Sequence, residues 1–400
     1  ASLVVIITNG MDVWPAFLDG YGATTANYVA NYLLLFYFGT LFGELLSKSQ
    51  AAKAIAMQML RIPLKNKALL AVVLASAILS YGGVNLFVTV FSIYPIALVL
   101  FREENIPKRL FPAALFLGSA TFTMVAMPGT PAVQNVIPAQ TFGTTAYSAP
   151  IMGLICSITM FTLGMLWLRY SQKRLALKGV GFVPGPRDDL SRIDLSDTEG
   201  MPGFVRAIIP IIVVLGFIFG LNPFFETIFA VNLALVAGVL SAIVLFWESL
   251  RFDLLERLNV SSRDSVMALL NTAVVVGFGG VVAASSGFDR VVDWTMSLDM
   301  NALISGAISV GVQVFSDSVG DRYVDMANSS GISLDAMHRV LAMSAAGLDS
   351  MPYSGGYITA ITVTQLTHRE SYGYFFVTNV VITSIGAVLG ILLYLGFGIV

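Results

Sequence analysis

Apolar runs long enough to cross a lipid bilayer recur from one end of the chain to the other, at 25–47, 110–137, 150–168, 206–222, 224–247, 265–288, 339–366 and 372–400. A helix of about 20 residues covers about 30 Å of hydrocarbon, so these runs predict membrane-spanning helices. Two further apolar stretches, 68–101 and 300–330, do not fit as simple spans. The first reads ALLAVVLASAILS, then YGGVN, then LFVTVFSIYPIALVLF. Its leading arm makes about 20 Å of helix at about 1.5 Å per residue, too short to cross. A re-entrant hairpin with its tip at Tyr81–Asn85 fits better. ASLVVIIT at the start is also too short to span and is expected to be the tail of a helix, not a signal peptide.

The polar positions orient this layout. With the 48–67 loop in the cytoplasm and the first hairpin returning to the same side, all Lys and Arg except Arg290, Arg322 and Arg339 fall inside. The expected outer loops 9–24 and 138–149 carry none. That is the asymmetry of a positive-inside membrane protein. The second hairpin then enters from the opposite side to the first. The predicted fold is an all-α polytopic membrane protein of two inverted-topology repeats, each with a re-entrant hairpin and a Pro-broken helix. Residues 1–170 form the first repeat, with hairpin 68–101 and broken helix 110–137. Residues 206–400 form the second, with hairpin 300–330 and broken helix 339–366. Between them 171–205, rich in Pro, Gly and Asp, is expected as a mobile cytoplasmic linker loop.

Two spans carry backbone breakers where a helix should be continuous, AMPGTPAVQN at 126–135 and GLDSMPYSGG at 347–356. Non-helical backbone at membrane depth is tolerated only where protein buries it or water reaches it. Pro128 and Pro131 remove amide donors and free upstream carbonyls, leaving Gly129 and Thr130 between them. Ser350, Tyr353, Ser354, Gly355 and Gly356 surround the second break. Such openings offer half-helix termini to a polar solute or ion. Substrate-binding candidates are therefore Gly82, Gly83 and Asn85 at the first hairpin tip, Thr130, Ser316 and Ser318 at the second tip, and Ser350, Ser354 and Gly355. Asp349, an intramembrane carboxylate one turn before Pro352, is the leading proton-coupling candidate, with Asp317 as a second; Asp349 could equally cap the second half-helix. Glu44 and Glu226 lie near span ends and are weaker candidates. His338, beside Arg339 at an expected outer edge, is expected to be solvated. The pairs Gly39/Gly43, Gly216/Gly220 and Gly386/Gly390 predict helix-packing faces.

Composition narrows the function further. The chain is 56% hydrophobic and 12% charged, with a net charge of −2. No basic block could hold a nucleic-acid backbone. Cys156 is the single cysteine and there are two histidines, so no internal disulfide or Cys-rich metal site is available. No GxxxxGK[ST], HExxH, CxxC or GxSxG occurs, which argues against an ATP-driven pump and against an enzyme. The remaining readings are a secondary transporter, a passive channel and an intramembrane enzyme, and the last lacks any nucleophile–base pair.

Four stretches carry a family resemblance. YGGVNLFVTVFSIYPIALVLFREENIPKRL followed by ATFTMVAMPGTPAVQNVIPAQTFGTTAYSAP, HRVLAMSAAGLDSMPYSGGYITAITVTQLTHRESY, and NYLLLFYFGTLFGELLSKSQAAKAIA resemble the gluconate permease (GntP) family, closest to its hydroxybutyrate-permease-like branch. The resemblance implies a proton-coupled symporter for a small hydroxy-carboxylate within the ion transporter superfamily. It further implies an elevator motion, a homodimer in the bacterial inner membrane, and no cofactor beyond the coupling ion, H+ or alternatively Na+. The second hairpin segment departs from the family's small-residue pattern by carrying Asp317, Asp321, Arg322 and Asp325.

Overall fold

In hydrocarbon only a helix can satisfy its own N–H and C=O groups, and the long Leu, Ile, Val and Ala runs wind accordingly. The computed structural model describes residues 1–59, 67–84, 86–186, 188, 200–221, 223–288, 290, 303, 317–352 and 354–400. A short helix α1 (Ser2–Thr8) precedes α2 (Val13–Lys48), and α3 (Ala51–Met59) follows. The first hairpin is α4 (Ala68–Tyr81) and α5 (Leu86–Glu103). Next come α6 (111–125), α7 (Val133–Phe142) and α8 (Pro150–Leu177). Then follow α9 (Phe204–Leu221), α10 (Thr227–Leu245) and α11 (Leu254–Ala283). The chain ends in α12 (Asp317–Ser329), α13 (Leu334–Asp349), α14 (Gly355–Thr364) and α15 (His368–Phe397).

Six of these, α2, α8, α9, α10, α11 and α15, are long and apolar enough to cross a membrane. They match six of the eight predicted spans. The other two predicted spans are the interrupted pairs α6/α7 and α13/α14. The hairpin at 68–101 is present, and α4 is 14 residues long. Glu104 closes its base by accepting the Lys67 and Ala68 N–H groups at 2.9 and 3.2 Å, so an acid from one arm caps the helix start of the other. Most of the expected 300–330 hairpin lies outside the described residues.

Two expectations need correction. Residues 13–22, placed in an outer loop, are helical and continuous with α2. Pro15 sits in the first turn, where its missing N–H is tolerated, and Ala16–Gly22 widens into a π turn. The linker, expected to be free, is anchored in its described first part. Phe182 N–H donates to Asn105 Oδ1 at 2.9 Å, and buried Asp188 pairs with buried Lys108 at 2.6 Å.

Packing divides the helices into two groups. Helix α2 lies against α10 and α11, and α10 against α9. Around them α4 packs on α6, α8 on α15, and α13 on both α7 and α15. Small residues set the closest approaches: a methyl at Gly118 would lie 3.0 Å from the Val73 carbonyl carbon and closer still to its oxygen, so α4 and α6 touch backbone to backbone. Gly43 faces Val84 and Val88, and Gly386 and Gly390 face Met160 and Met343, as packing faces. Gly216 and Gly220 have no neighbour within reach of an added methyl among the described residues.

Candidate functional site

The first hairpin tip docks on the first break. The Tyr81 hydroxyl donates to Pro128 O at 2.7 Å. Gly83 has φ +90°, and a Cβ there would sit 3.1 Å from Pro131 Cγ and 2.9 Å from Leu235 Cδ2 of α10. Only glycine combines that left-handed turn with so close an approach. On the other side of the tip, a methyl at Gly356, in the first turn of α14, would meet Leu86 Cδ2 at 2.6 Å. Gly83 and Leu86 of the hairpin therefore lie against the two breaks, Gly83 against Pro131 and Leu86 against Gly356.

At the first break Gly129 turns with φ +85°, and its N–H donates to Ala146 O at 2.8 Å. Thr130 is fully buried, and its hydroxyl has no hydrogen-bond partner among the described residues. Buried hydroxyls are ordinarily paired. Helix α7 starts after Ala132, which has no side chain able to cap it.

Asn135 organises the wall behind Thr130. Its Nδ2 donates to Thr130 O and Ala146 O, both at 2.9 Å. Its Oδ1 accepts from Arg339 Nη1 at 3.1 Å and faces His338 Nε2 at 2.9 Å. Because Oδ1 can only accept, Nε2 carries the imidazole proton. Nδ1 of the neutral ring then accepts from the Thr144 hydroxyl at 2.7 Å. Arg339 directs its remaining N–H groups at main-chain oxygens: Ser148 O at 2.8 Å from Nη2 and 3.2 Å from Nε, Val125 O and Ala146 O at 3.4 Å. His338 and Arg339 both have zero exposure. The expectation of a solvated His338 at an outer edge is thus overturned: α13 packs on α7, which encloses both side chains.

At the second break α13 ends at Asp349 and α14 begins after Ser354, its N-cap. The cap position is Ser354, and its side chain makes no capping bond. The Ser350 hydroxyl donates to Ala346 O at 2.9 Å in its own helix. Tyr372 donates to Ser350 O at 3.3 Å and His368 Nε2 to Pro352 O at 2.8 Å. Gly355 is open to its surroundings.

The structure thus gathers Gly82, Gly83 and Thr130 around one tip, with Ser350, Ser354 and Gly355 on the adjoining break. Asn85, Ser316 and Tyr353 lie outside the described residues. Asp317 and Ser318 open α12 and Asp349 closes α13, and only their backbone is described. Glu44 is taken by Arg257 at 2.7 Å, and Glu226 is the N-cap of α10. Sequence reasoning missed Tyr81, Asn135, His338 and Arg339. The available signal was an amide pair, Gln134 and Asn135, inside a Pro-broken span and two basic side chains in an apolar helical run.

One feature unites both breaks. Four carbonyls in or beside them, those of Pro128, Thr130, Ser350 and Pro352, are each engaged by a side-chain donor. The starts of the following helices and the Thr130 hydroxyl are left without side-chain partners. Donors left over at two helix starts and on one buried hydroxyl suit an anion.

Comparison with known proteins agrees with a transport role. Residues 1–393 match the family described as GntP family permease. The chain is 33% identical over 427 residues to an uncharacterized transporter, YxjC, of Bacillus subtilis strain 168, covering 96% of this chain and 90% of that protein. It is 27% identical over 189 residues to an uncharacterized transporter of Haemophilus influenzae, covering 47% and 41%. In fold it is similar to the YdaH transporter of Alcanivorax borkumensis, described as having an unusual topology, with TM-score 0.57 and 14% identity over 94% of this chain and 88% of that one. The chain belongs to the GntP permease family and is a multi-pass membrane transporter, not an enzyme.

Proposed function

We propose that the junction of the first hairpin tip with the two breaks binds a small hydroxy-carboxylate, and that the protein carries it by proton-coupled symport. The observation that carries the reading is Thr130: a fully buried hydroxyl without a partner, beside a tip that touches both breaks. A solute hydroxyl or carboxylate would complete it. The uncapped start of α14, with Ser354 and Gly355, and the start of α7 supply further donors for the carboxylate. Gly82 and Gly83 let the tip close over the solute. Asn85, Ser316 and Ser318 remain candidates for further contacts. Asp349, at the end of α13, is the proposed proton carrier, with Asp317 second. The engaged carbonyls favour protons over sodium as coupling ion, because a hard cation needs several free oxygens. Two inverted repeats moving as an elevator within a homodimer complete the proposal.

Uptake by purified protein in proteoliposomes tests it, using gluconate, 3-hydroxybutyrate, glycerate and lactate as solutes. Thr130→Val should lower kcat/KM for the transported acid at least about tenfold while leaving the melting temperature unchanged or higher, since an orphan buried hydroxyl contributes nothing to stability. Asp349→Asn should keep solute binding and lose accumulation driven by a pH gradient. Wild-type uptake by Thr130→Val would remove the site. Accumulation that follows sodium, and stops when choline replaces it at fixed pH, would remove the proton.

A further inference from the structure

Arg339 is a guanidinium buried to zero exposure whose hydrogen bonds all end on uncharged oxygens. Main-chain carbonyls of Val125, Ala146 and Ser148 and the Asn135 amide take its N–H groups. Among the described residues no carboxylate forms an ion pair with it; Asp335, one turn earlier on α13, acts on it only through space and without contact. Burying a charge is expensive even when dipoles replace its water. Carbonyl dipoles solvate the cation, but they leave its net charge in place. An apolar or neutral polar side chain could fill the same space without that penalty.

The location of the charge suggests its use. Asn135 receives Arg339 on Oδ1 and holds Thr130 O with Nδ2, so one amide separates the guanidinium from the break. An anion at that break would face the favourable start of α7 and also the carbonyl end of α6, whose dipole repels it. Val125 is the last residue of α6, and its carbonyl is among those Arg339 takes. The cation therefore offsets the repulsive helix end at the point where an anion would approach.

We infer that Arg339 is a positioning residue that selects an anionic solute at the break, acting through Asn135 and the end of α6 and not by touching the solute. The missing counter-charge is then the carboxylate of the solute itself, present when loaded and absent when empty. This rests on the reading of the junction as the solute site. In a desolvated setting, one unit of charge changes anion affinity by about tenfold or more and leaves a neutral isostere nearly untouched.

The test compares an acid with its own uncharged amide. Binding of gluconate, or whichever of the four hydroxy acids the wild-type protein transports, is measured in nanodiscs alongside the matching carboxamide. Arg339→Met should weaken the acid at least about tenfold and the amide less than about twofold. Arg339→Lys keeps the charge with fewer donors. It should lower the melting temperature yet preserve the preference for acid over amide. Should Arg339→Met not yield folded protein, Arg339→Lys decides: retained preference supports the inference and lost preference overturns it. Equal weakening of acid and amide by Arg339→Met would also overturn it, by reducing Arg339 to a structural brace. If no hydroxy acid binds the wild-type protein, the junction as a solute site fails instead, a distinct result.

Discussion

Asn135 uses both ends of its amide, with two carbonyls on Nδ2 and two cationic or imidazole donors on Oδ1. No other residue type supplies two donors and a double acceptor from so short a side chain. Replacing it with Leu leaves Thr130 O without its donor, takes one of three donors from Ala146 O and removes one acceptor from a buried guanidinium. Each buried group left unsatisfied costs about 1–3 kcal/mol, so Asn135→Leu should show a clear fall in thermal stability in detergent, whereas His338→Gln, which keeps a donor for Oδ1, should fall by less. A fall of equal size in the two variants would contradict the network drawn here. At this scale the sequence was least readable. His338 and Arg339 look like interfacial charges when only neighbours in the chain are considered, because what buries them lies about two hundred residues upstream. Thr130 was legible as a candidate from its two flanking prolines, but its lack of a partner depends on three-dimensional packing.

Among the elements, the linker end is tied more firmly than its composition suggests. Asp188 accepts from Lys108 at 2.6 Å, from Tyr94 at 2.8 Å, from Gly185 N–H at 2.6 Å and from Gln365 at 3.2 Å. It joins the second hairpin arm α5 to the turn after α14, which reverses at Gln365 with φ +55°. Burial by itself would raise the Asp188 carboxyl, but the Lys108 ammonium, the Gly185 N–H and the Tyr94 hydroxyl together hold it below the usual carboxylate range. A depressed carboxyl stabilises the fold above its unfolded pKa of about 3.9 and loses that contribution as pH falls through the lower folded value. The linker anchor should therefore hold evenly from pH 5 to 8 and release only below about pH 4. Limited proteolysis of the linker, with trypsin at neutral pH and pepsin below pH 4, can follow this. Asp188→Ala should speed linker cleavage at pH 7 and leave Lys108 buried and unpaired, at a cost of about 3 kcal/mol. In a double-mutant cycle, Lys108→Met with Asp188→Leu should be less damaging than the sum of the single changes. Additive losses would deny the pairing. The long spans, the first hairpin and the two breaks were visible in the sequence, since length, hydropathy and proline act locally. The anchor was not, because a Pro-Gly-Asp segment has the composition of a free loop and only Lys108 in its pocket makes Asp188 a fixed point.

For the whole molecule, the arrangement brings interrupted backbone from both halves of the chain to one hairpin tip, with α2, α9 and α10 behind it. Leu235 of α10 touches Gly83, and Ile211 of α9 lies against Gly82. A transporter that moves its solute with the tip and breaks as a unit would slide across these contacts. A passive channel would need no such closure, and would pass solute without concentrating it. In the proposed transporter both breaks serve one solute. Cys156 is the single cysteine, so Cys156→Ser followed by Ser354→Cys gives a unique thiol on the second break. Its rate of modification by a charged methanethiosulfonate, measured against rising concentrations of the transported hydroxy acid, reports occupancy there. The account predicts that the acid protects this thiol, and that adding Thr130→Val on the first break moves half-protection to a concentration at least about tenfold higher. Protection that ignores Thr130→Val, or an unprotected thiol in protein that still transports the acid, would contradict it.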